Sequence, residues 1–317
     1  MRDTSASGLW RRRQVRRGFL LTCLWLVITG RVVHAGVPAV SSVTVSDVTP
    51  RSFSVSWLSS EPATGELYLF QGDCATPIAN PLIESSGSAR SGFIRVTVSD
   101  LSASANYCVQ TATKSKSTAE VTVHPSSPLP VATEKFVKRT APGAGKTVPV
   151  GNDLLRIPAP YLTSPADSQE GVLVFLQLVD IAGSRPLSVL LTTDEKLNNF
   201  NMNNLFDATG ESFNLTGGER VLFTERHGVA GCTAISRFRK VPADAEATRV
   251  RDFAACARKQ DVDCSNSVTV LDILRVAHGV GTAQGSPCFN IDLDVTEDGK
   301  VDLLDVEAVI GGFDATP

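Results

Sequence analysis

Aromatic side chains are scarce in this chain, at 6% of its 317 residues. A chain of this length has material for two or three domains, and sparse aromatic residues suit small β modules. Two motifs of common hydrolases are also absent, because the sequence contains no Gly-x-Ser-x-Gly turn and no His-Glu-x-x-His helix. An enzyme is therefore disfavoured, although the carboxylate pairs of glycosidases leave no signature in a single sequence.

The apolar run near the N-terminus is short. It has eleven residues, Phe19 to Thr29, and would span about 16 Å as a helix, against roughly 30 Å for the hydrocarbon core of a bilayer. An arginine-rich stretch precedes it, and the segment VHA, Val33 to Ala35, follows with small side chains at the usual cleavage positions, which is the pattern of a secretory signal peptide. We therefore expect residues 1–35 to be cleaved, with no transmembrane segment left, and the mature protein to be secreted or at the cell surface.

Positive charge is scarce once that segment is removed. The first 35 residues hold seven arginines and one aspartate, so the remainder has 23 basic and 32 acidic side chains and a net charge of −9. This balance argues against phosphate backbones and favours cations as partners, so no nucleic-acid partner is expected.

Cleavage would also remove Cys23 and leave an even number of cysteines in a compartment where disulfides persist. The six are Cys74, Cys108, Cys232, Cys256, Cys264 and Cys288. Six cysteines allow fifteen connectivities. Pairing of neighbours within each module is the simplest choice, and it predicts Cys74 with Cys108, Cys232 with Cys256, and Cys264 with Cys288.

Strict alternation of apolar and polar residues marks the first module, residues 37–125, as in VTVSDVTPRSFSVSW, which ends at Trp57. Period two is typical of half-buried strands. With LSASANY, Leu101 to Tyr107, this stretch resembles a fibronectin type III module. The resemblance implies a β-sandwich in which the tryptophan fills the core and the tyrosine forms a corner. Such a module either binds a partner or acts as a spacer, and the spacer role is favoured.

A proline-rich segment follows. HPSSPLP, His124 to Pro130, favours an extended linker, which we place at residues 126–148. Residues 149–250 then show buried-type runs such as GVLVFLQLV, Gly171 to Val179, and predict a second β-sandwich of unassigned family. The asparagine-rich stretch from Asn198 to Asn204 could bind a sugar, although asparagine clusters more often form turns.

Two twelve-residue stretches near the C-terminus share one spacing of oxygen-bearing residues. They are DVDCSNSVTVLD and, 33 residues later, DVTEDGKVDLLD. Calcium takes six to eight oxygens, and a twelve-residue loop offers them at positions 1, 3, 5, 7, 9 and 12. The expected ligands are Asp261, Asp263, Ser265, the Ser267 carbonyl, Thr269 and Asp272 in the first loop, and Asp294, Thr296, Asp298, the Lys300 carbonyl, Asp302 and Asp305 in the second. The predicted cofactor is therefore Ca2+.

Position 6 of each loop needs a sharp turn, and it holds Asn266 in the first loop and Gly299 in the second. The second loop also offers four carboxylates against three in the first. Because affinity follows ligand charge and rigidity, charge counting predicts that the second loop fills first.

A short apolar-periodic stretch follows each loop, and no complete helix pattern precedes either one. This tandem loop-then-helix arrangement with aspartate at position 12 resembles a dockerin domain, at residues 256–317. The resemblance implies docking to a cohesin-like module of a scaffold protein. The cellulosomal type has a Ser-Thr pair at loop positions 10 and 11, where this chain has Val270-Leu271 and Leu303-Leu304. An intramolecular β-module neighbour is therefore the other expected partner.

The expected fold class is mainly β, with two β-sandwich modules and a small α-helical dockerin or EF-hand-like module at the C-terminus. The predicted function is that of a noncatalytic exported protein whose calcium-binding module serves assembly, adhesion or module stabilisation, at the cell surface or on polysaccharide. The alternative is a polysaccharide-degrading enzyme, with a catalytic or carbohydrate-binding domain at 149–250 docked to a cohesin scaffold.

Overall fold

Residues 40–132, where apolar and polar side chains alternate along the sequence, form seven antiparallel strands. They are β1 (Val40–Ser46), β2 (Phe53–Ser59), β3 (Ala63–Gln71), β4 (Leu82–Ala89), β5 (Phe93–Val98), β6 (Asn106–Ser115) and β7 (Val121–Ala132). Strands β1, β2 and β5 form one sheet, and the other sheet has the order β4-β3-β6-β7. Apolar side chains from both sheets pack into one buried cluster, so this module is a β-sandwich.

The computed structural model describes residues 37–74, 82–89, 92–136, 147–149, 172–191, 199–207, 209–210, 215, 217–226, 234–241, 255–286 and 288–314. The expected signal peptide and Cys232 lie outside these ranges. Residues from Ala35 to Pro317 form one compact unit. No helix in the described part of the chain is both long and apolar enough to cross a membrane.

Two aromatic residues organise the core of the first sandwich. Trp57 is fully buried, and its Nε1 donates a hydrogen bond to Thr113 Oγ1 at 2.9 Å. The ring lies against Gly65, where an added Cβ would stand 2.4 Å from a Trp57 ring carbon. Tyr107 Oη accepts a hydrogen bond from the Ser102 N–H at 2.9 Å and so ties the preceding loop to β6.

The expected linker begins too early, because residues 126–132 continue strand β7. This strand pairs with β6 on both sides of an irregularity, with Thr111 opposite His124 and Val109 opposite Leu129. Strand β7 is last in the order of its sheet. Prolines are tolerated on such an edge, where a missing N–H costs no ladder bond to a further strand.

The middle of the chain adds six further strands. They are β8 (Thr147–Pro149), β9 (Leu173–Leu178), β10 (Leu187–Leu190), β11 (Asn199–Asn201), β12 (Arg220–Arg226) and β13 (Ile235–Lys240). Four of them form an antiparallel sheet in the order β10-β9-β12-β13, which we call the middle sheet, and β8 pairs separately with β11. Since β8 lies at residues 147–149, the C-terminal end of the expected linker also belongs to this region.

The asparagine-rich stretch is part strand and part turn. Strand β11 leads into a 3-10 helix, Met202–Asn204. Phe200 and Met202 are fully buried and share one apolar cluster with Leu176 of β9 and Phe223 of β12. The stretch is therefore a second layer over the four-stranded sheet, since its apolar residues close the core.

The two β regions meet along a buried seam rather than at a flexible joint. Phe93 of β5 packs with Leu173 and Phe175 of β9. Beside them, Asp47 accepts hydrogen bonds from Arg95 at 2.9 Å and from Ser188 Oγ at 2.9 Å. The first sandwich is therefore held directly against the middle sheet.

The C-terminal module contains two helices, α1 (Val270–Gly279) and α2 (Leu303–Gly311), and two short paired strands, β14 (Thr282–Ala283) and β15 (Lys300–Val301). Its apolar core includes Val268, Val276, Val301 and Val309, all fully buried. The mainly β fold with a small helical C-terminal module is thus confirmed.

The disulfides follow the expected pairing in one case. Cys74 bonds to Cys108, as predicted. Cys256 bonds to Cys264, so the predicted pairs of Cys232 with Cys256 and of Cys264 with Cys288 are wrong. The chain folds back within eight residues at the start of the first loop and brings the Cα atoms of Cys256 and Cys264 to 4.8 Å. Cys288 is also disulfide-bonded.

Candidate metal centre

The two loops share one backbone conformation. At position 4, Cys264 and Glu297 have positive φ values of 57° and 60°, and at position 6 Asn266 and Gly299 have values of 71° and 85°. Asparagine and glycine adopt this left-handed region most readily, which explains their place in the sequence. The loops therefore turn at the same points despite different residues between them.

The aspartate at position 1 is held by the N–H groups of positions 5 and 6 in both loops. Asp261 accepts hydrogen bonds from the Ser265 and Asn266 N–H groups, each at 2.8 Å. Asp294 accepts from the Asp298 N–H at 3.1 Å and the Gly299 N–H at 2.8 Å. Both carboxylates are buried, so each is fixed inside its loop.

The aspartate at position 12 links its loop to the helix that follows. Asp272 accepts from the N–H groups of Asp263 at 3.2 Å and of Thr269 at 2.8 Å. Asp305 accepts from the N–H groups of Thr296 at 2.9 Å and of Asp302 at 2.8 Å. In each loop position 9 is the N-cap and position 12 completes a capping box, so the closing ligand also starts the helix.

Three carboxylates converge in the first loop. One ligand oxygen from each of Asp261, Asp263 and Asp272 lies within 4.8 Å of the others, and all three residues are buried. Burial raises the pKa of Asp261, and the charges of Asp272 and Asp263 add to the rise against hydrogen bonds from Asn266 and Ser265. Carboxylates that repel one another in a buried site gain most from a bound cation.

The remaining expected ligands of the first loop lie beside this triad. Ser265 Oγ donates to the Ser267 carbonyl at 2.9 Å and contacts Asp261 Oδ1 at 3.3 Å. Thr269 Oγ1 lies 3.1 Å from Asp272 Oδ2. All six expected positions are therefore connected through hydrogen bonds or through the triad.

The second loop gathers its ligands differently because position 3 is Thr296 rather than an aspartate. Thr296 Oγ1 donates to Asp305 at 2.9 Å, while Asp298 and Asp302 accept from the N–H groups of Lys300 and Leu304. Burial favours a higher pKa for Asp305, but the hydrogen bonds from Thr296 and Asp302 lower it below its ordinary value.

The donors in both loops are oxygen atoms, and the donor set fits a hard cation. Carboxylates, hydroxyls and a backbone carbonyl are the ligands that Ca2+ takes, and they do not favour softer transition metals. The backbone turns and the fixed first aspartate therefore fit calcium at both loops, and the first loop adds the three convergent carboxylates.

Two basic side chains of the middle sheet lie beside the first loop, and they were not predicted from the sequence. Arg220 of β12 lies 3.9 Å from Asp263, and Lys240 of β13 donates to Asn266 Oδ1. The hydrogen bonds that the Arg220 side chain donates to Asp180 raise the pKa of Arg220 against the effect of burial, and the charges of Asp180, Asp263 and Asp261 add to that rise. These residues lie far from the loops along the chain, so no local spacing pointed to them.

Further contacts join the C-terminal module to strand β13. Arg239 forms a two-point ion pair with Asp292, at 2.8 and 3.1 Å. Asn290 Nδ2 donates to the Ser236 carbonyl at 2.9 Å. The Arg275 guanidinium lies 4.3 Å from the centre of the Phe238 ring. The module thus packs against an intramolecular β neighbour, which was one of the two expected partners.

The end of the chain is fastened to the first loop. Asp314 accepts a hydrogen bond from the Val268 N–H at 2.7 Å, and its own N–H donates to the Val268 carbonyl at 3.0 Å. Arg258 also pairs with Asp314. These bonds hold the residues before the first loop and those after α2 together.

Positions 10 and 11 of both loops point away from the module core. Leu271 and Leu304, both at position 11, are each 55% exposed. Val270, Leu274 and Leu303 beside them are also exposed. We call these five residues the exposed helix face. A set of large apolar side chains in water is typical of a surface that binds a partner.

Comparison with known proteins identifies the C-terminal module. Residues 259–313 match the family model of the dockerin type I domain, so the chain contains a dockerin domain, as the resemblance predicted. The curated proteins contain no match to this chain.

A matching solved structure is the type II cohesin–X–dockerin complex from Acetivibrio cellulolyticus with an N-terminal interface mutant. It is 14% identical, the alignment covers 51% of this chain and 88% of that chain, and the TM-score is 0.17. The interpretation of the site therefore stands on the loop geometry and the family match.

Proposed function

We propose that the dockerin domain binds one Ca2+ in each loop and docks through its helices to a cohesin-like module. The observation that carries this proposal is the repeated loop geometry, in which the same positions make the same hydrogen bonds in two separate segments. The residues that would hold the two ions are the twelve expected ligands named above. Calcium would neutralise the carboxylates and fix the start of each helix.

The exposed helix face supports a protein partner. Four of its five residues occupy equivalent places in the two loops, at positions 10 and 11, and Leu274 lies four residues after Val270 on α1. The strands of the middle sheet contact the module at Asn266, Asn290, Asp292 and Arg275. Since these described contacts include none of the five residues of the exposed helix face, that face is left for a second protein. A cohesin-like module is the partner that the family match supports.

In this proposal the β modules are the part of the chain that the dockerin domain attaches to the cohesin-like module. The buried Trp57 and the Tyr107 corner support a fibronectin type III-like assignment for the first module. The proposed role is noncatalytic, in an exported protein that is secreted or at the cell surface and associated with polysaccharide. Glycan binding and reducing-sugar release by the full chain test that role, since sugar release would favour the enzyme alternative.

Binding of the full chain to immobilised type I cohesin modules, with calcium and with a chelator, tests the docking proposal. We expect binding with calcium, loss of binding with the chelator, and at least tenfold weaker binding when Leu271→Asp and Leu304→Asp are combined. Val121→Asp is the matched control, because Val121 is 50% exposed on β7, far from the helices along the chain. Calcium-independent binding, or equal loss with the control, would contradict the proposal.

A further inference from the structure

Arg220 lies between two acidic groups of different modules. Its Nε and Nη2 donate to Asp180 Oδ1 at 2.9 and 2.7 Å, and its backbone N–H donates to Asp180 Oδ2 at 3.0 Å. The remaining guanidinium nitrogen, Nη1, lies 3.9 Å from Asp263 Oδ1 at position 3 of the first loop. One end of the guanidinium is therefore anchored on the middle sheet while the other faces a calcium ligand.

Neighbouring contacts keep this arginine in place. Lys240, on the strand beside β12, donates to Asn266 at position 6 of the same loop. Arg239 holds Asp292 by two hydrogen bonds. The backbone of Arg220 is fixed at the start of strand β12 opposite Lys240, and the two side-chain hydrogen bonds to Asp180 hold its guanidinium beside the loop.

A fixed cation at a calcium ligand has a defined electrostatic effect. In the calcium-free loop the guanidinium offsets part of the repulsion among Asp261, Asp263 and Asp272, whose ligand oxygens converge within 4.8 Å. When a divalent cation enters the same site, it is repelled by the guanidinium instead. The arginine therefore stabilises the calcium-free loop relative to the loaded one.

We propose that Arg220 couples the middle sheet to the first calcium loop, by lowering that loop's calcium affinity while the module is packed on the sheet. The proposal rests on calcium binding by the loops, as proposed above. Because such coupling is reciprocal, calcium in the first loop weakens the contact between Arg220 and Asp263 by the same factor. The calcium affinity of the first loop then depends on whether the module is packed on the middle sheet, while the calcium affinity of the second loop does not.

Site-resolved calcium titration of the full mature chain tests the coupling. The amide NMR signals of Asn266 and Gly299, at position 6 of each loop, report the two sites separately. We expect Arg220→Gln to tighten calcium binding at the first loop about three- to tenfold in dilute salt, the range set by a screened charge at this distance. Binding at the second loop should not change, and Arg220→Lys should stay close to the parent because it keeps the charge.

Arg51→Gln is the matched control, because Arg51 is exposed in the first sandwich and lies over the Phe136 ring at 5.0 Å. Asp180→Asn provides a second test of opposite sign: it frees the guanidinium to approach Asp263, and the first loop should bind calcium more weakly. Equal calcium affinity in the parent and Arg220→Gln, or equal tightening of both loops, overturns the coupling while calcium binding stands. An Asn266 signal that never responds to calcium overturns the proposed function at this loop as well.

Discussion

Single carboxylates in the dockerin domain serve two purposes at once. Asp272 and Asp305 each complete a capping box at the start of a helix, and each is the closing ligand in the proposed calcium sites. A capping residue contributes about 1 kcal/mol to a helix, whereas a charged calcium ligand contributes to affinity directly. Under the proposed function, helix formation and calcium binding depend on the same side chains, so we expect the two to occur together.

The charge of Asp314 stabilises the folded dockerin domain to an extent that depends on pH. The hydrogen bond from Arg258 and the bond from the Val268 N–H lower its pKa to about 2, against about 3.9 for an ordinary aspartate. Because the folded-state pKa is the lower one, the stabilisation is present above the ordinary pKa and is lost as pH falls towards the folded value.

We predict that Asp314→Asn lowers the thermal midpoint of the dockerin domain at neutral pH. The difference between parent and variant should shrink as pH falls from about 4 to about 2, because the parent then loses the same charge. The thermal midpoint of the Val268 amide NMR signal measures this, and the difference between the two proteins cancels the titration of the calcium ligands they share. A difference that stays constant down to the lowest pH would show that the charge of Asp314 is unimportant.

At the scale of elements, the sequence was most informative where one local rule decides the outcome. Period-two alternation predicts strands such as β2 and β6, and the twelve-residue spacing predicts both loops, because each pattern depends on neighbours along the chain. Strand β7 is a case in which such local rules fail. Its prolines indicate a linker, and only its pairing with β6 shows that the segment is a strand. The Cys256–Cys264 bond and the place of Arg220 depend on how the chain folds back, and spacing alone does not contain that information.

The disulfide before the first loop gives a prediction at this scale. Cys264 stands at position 4 and is bonded to Cys256, so it restrains the loop without acting as a ligand. Replacing both cysteines, with Cys256→Ser and Cys264→Ser, should weaken calcium binding at the first loop by roughly tenfold, because the free loop must then be ordered by the ion. Binding at the second loop should not change.

Calorimetric calcium titration of the parent and the double variant checks this prediction, with Cys74→Ser and Cys108→Ser as the control for loss of a disulfide elsewhere. Charge counting predicts that the second loop binds calcium before the first loop does. The disulfide and the convergent carboxylates favour the opposite order. If the double variant binds calcium at the first loop as well as the parent does, the disulfide does not preorganise the site.

At the scale of the whole molecule, two seams among the described residues join the first sandwich, the middle sheet and the dockerin domain. Arg95, Asp47 and Ser188 connect the first sandwich to the middle sheet, and Arg239 with Asp292 connects that sheet to the dockerin domain. The first seam contains the Arg95–Asp47 ion pair of the first sandwich, which Ser188 contacts from the middle sheet, and the second is crossed by the Arg239–Asp292 pair. Removing one partner of such a low-exposure pair costs more free energy of folding than removing one partner of a surface pair. The dockerin domain therefore packs on the middle sheet, which itself packs on the first sandwich. A substitution that weakens the first seam should also lower the stability of the middle sheet.

The seam between the β modules gives the last prediction. Asp47 has a positive φ of 53°, which asparagine tolerates, so Asp47→Asn removes the charge with little backbone strain. Arg95 would then face an amide, and we expect a loss of about 1–3 kcal/mol in the free energy of unfolding, since Arg95 keeps partial access to water. Glu120→Gln is the control, because Glu120 is exposed after β6. Hydrogen exchange measures the result: the amides of β10, which contains Ser188, should exchange faster together with those of β5, which contains Arg95. Faster exchange in β5 alone would mean that the first sandwich opens independently and that the seam does not couple the modules.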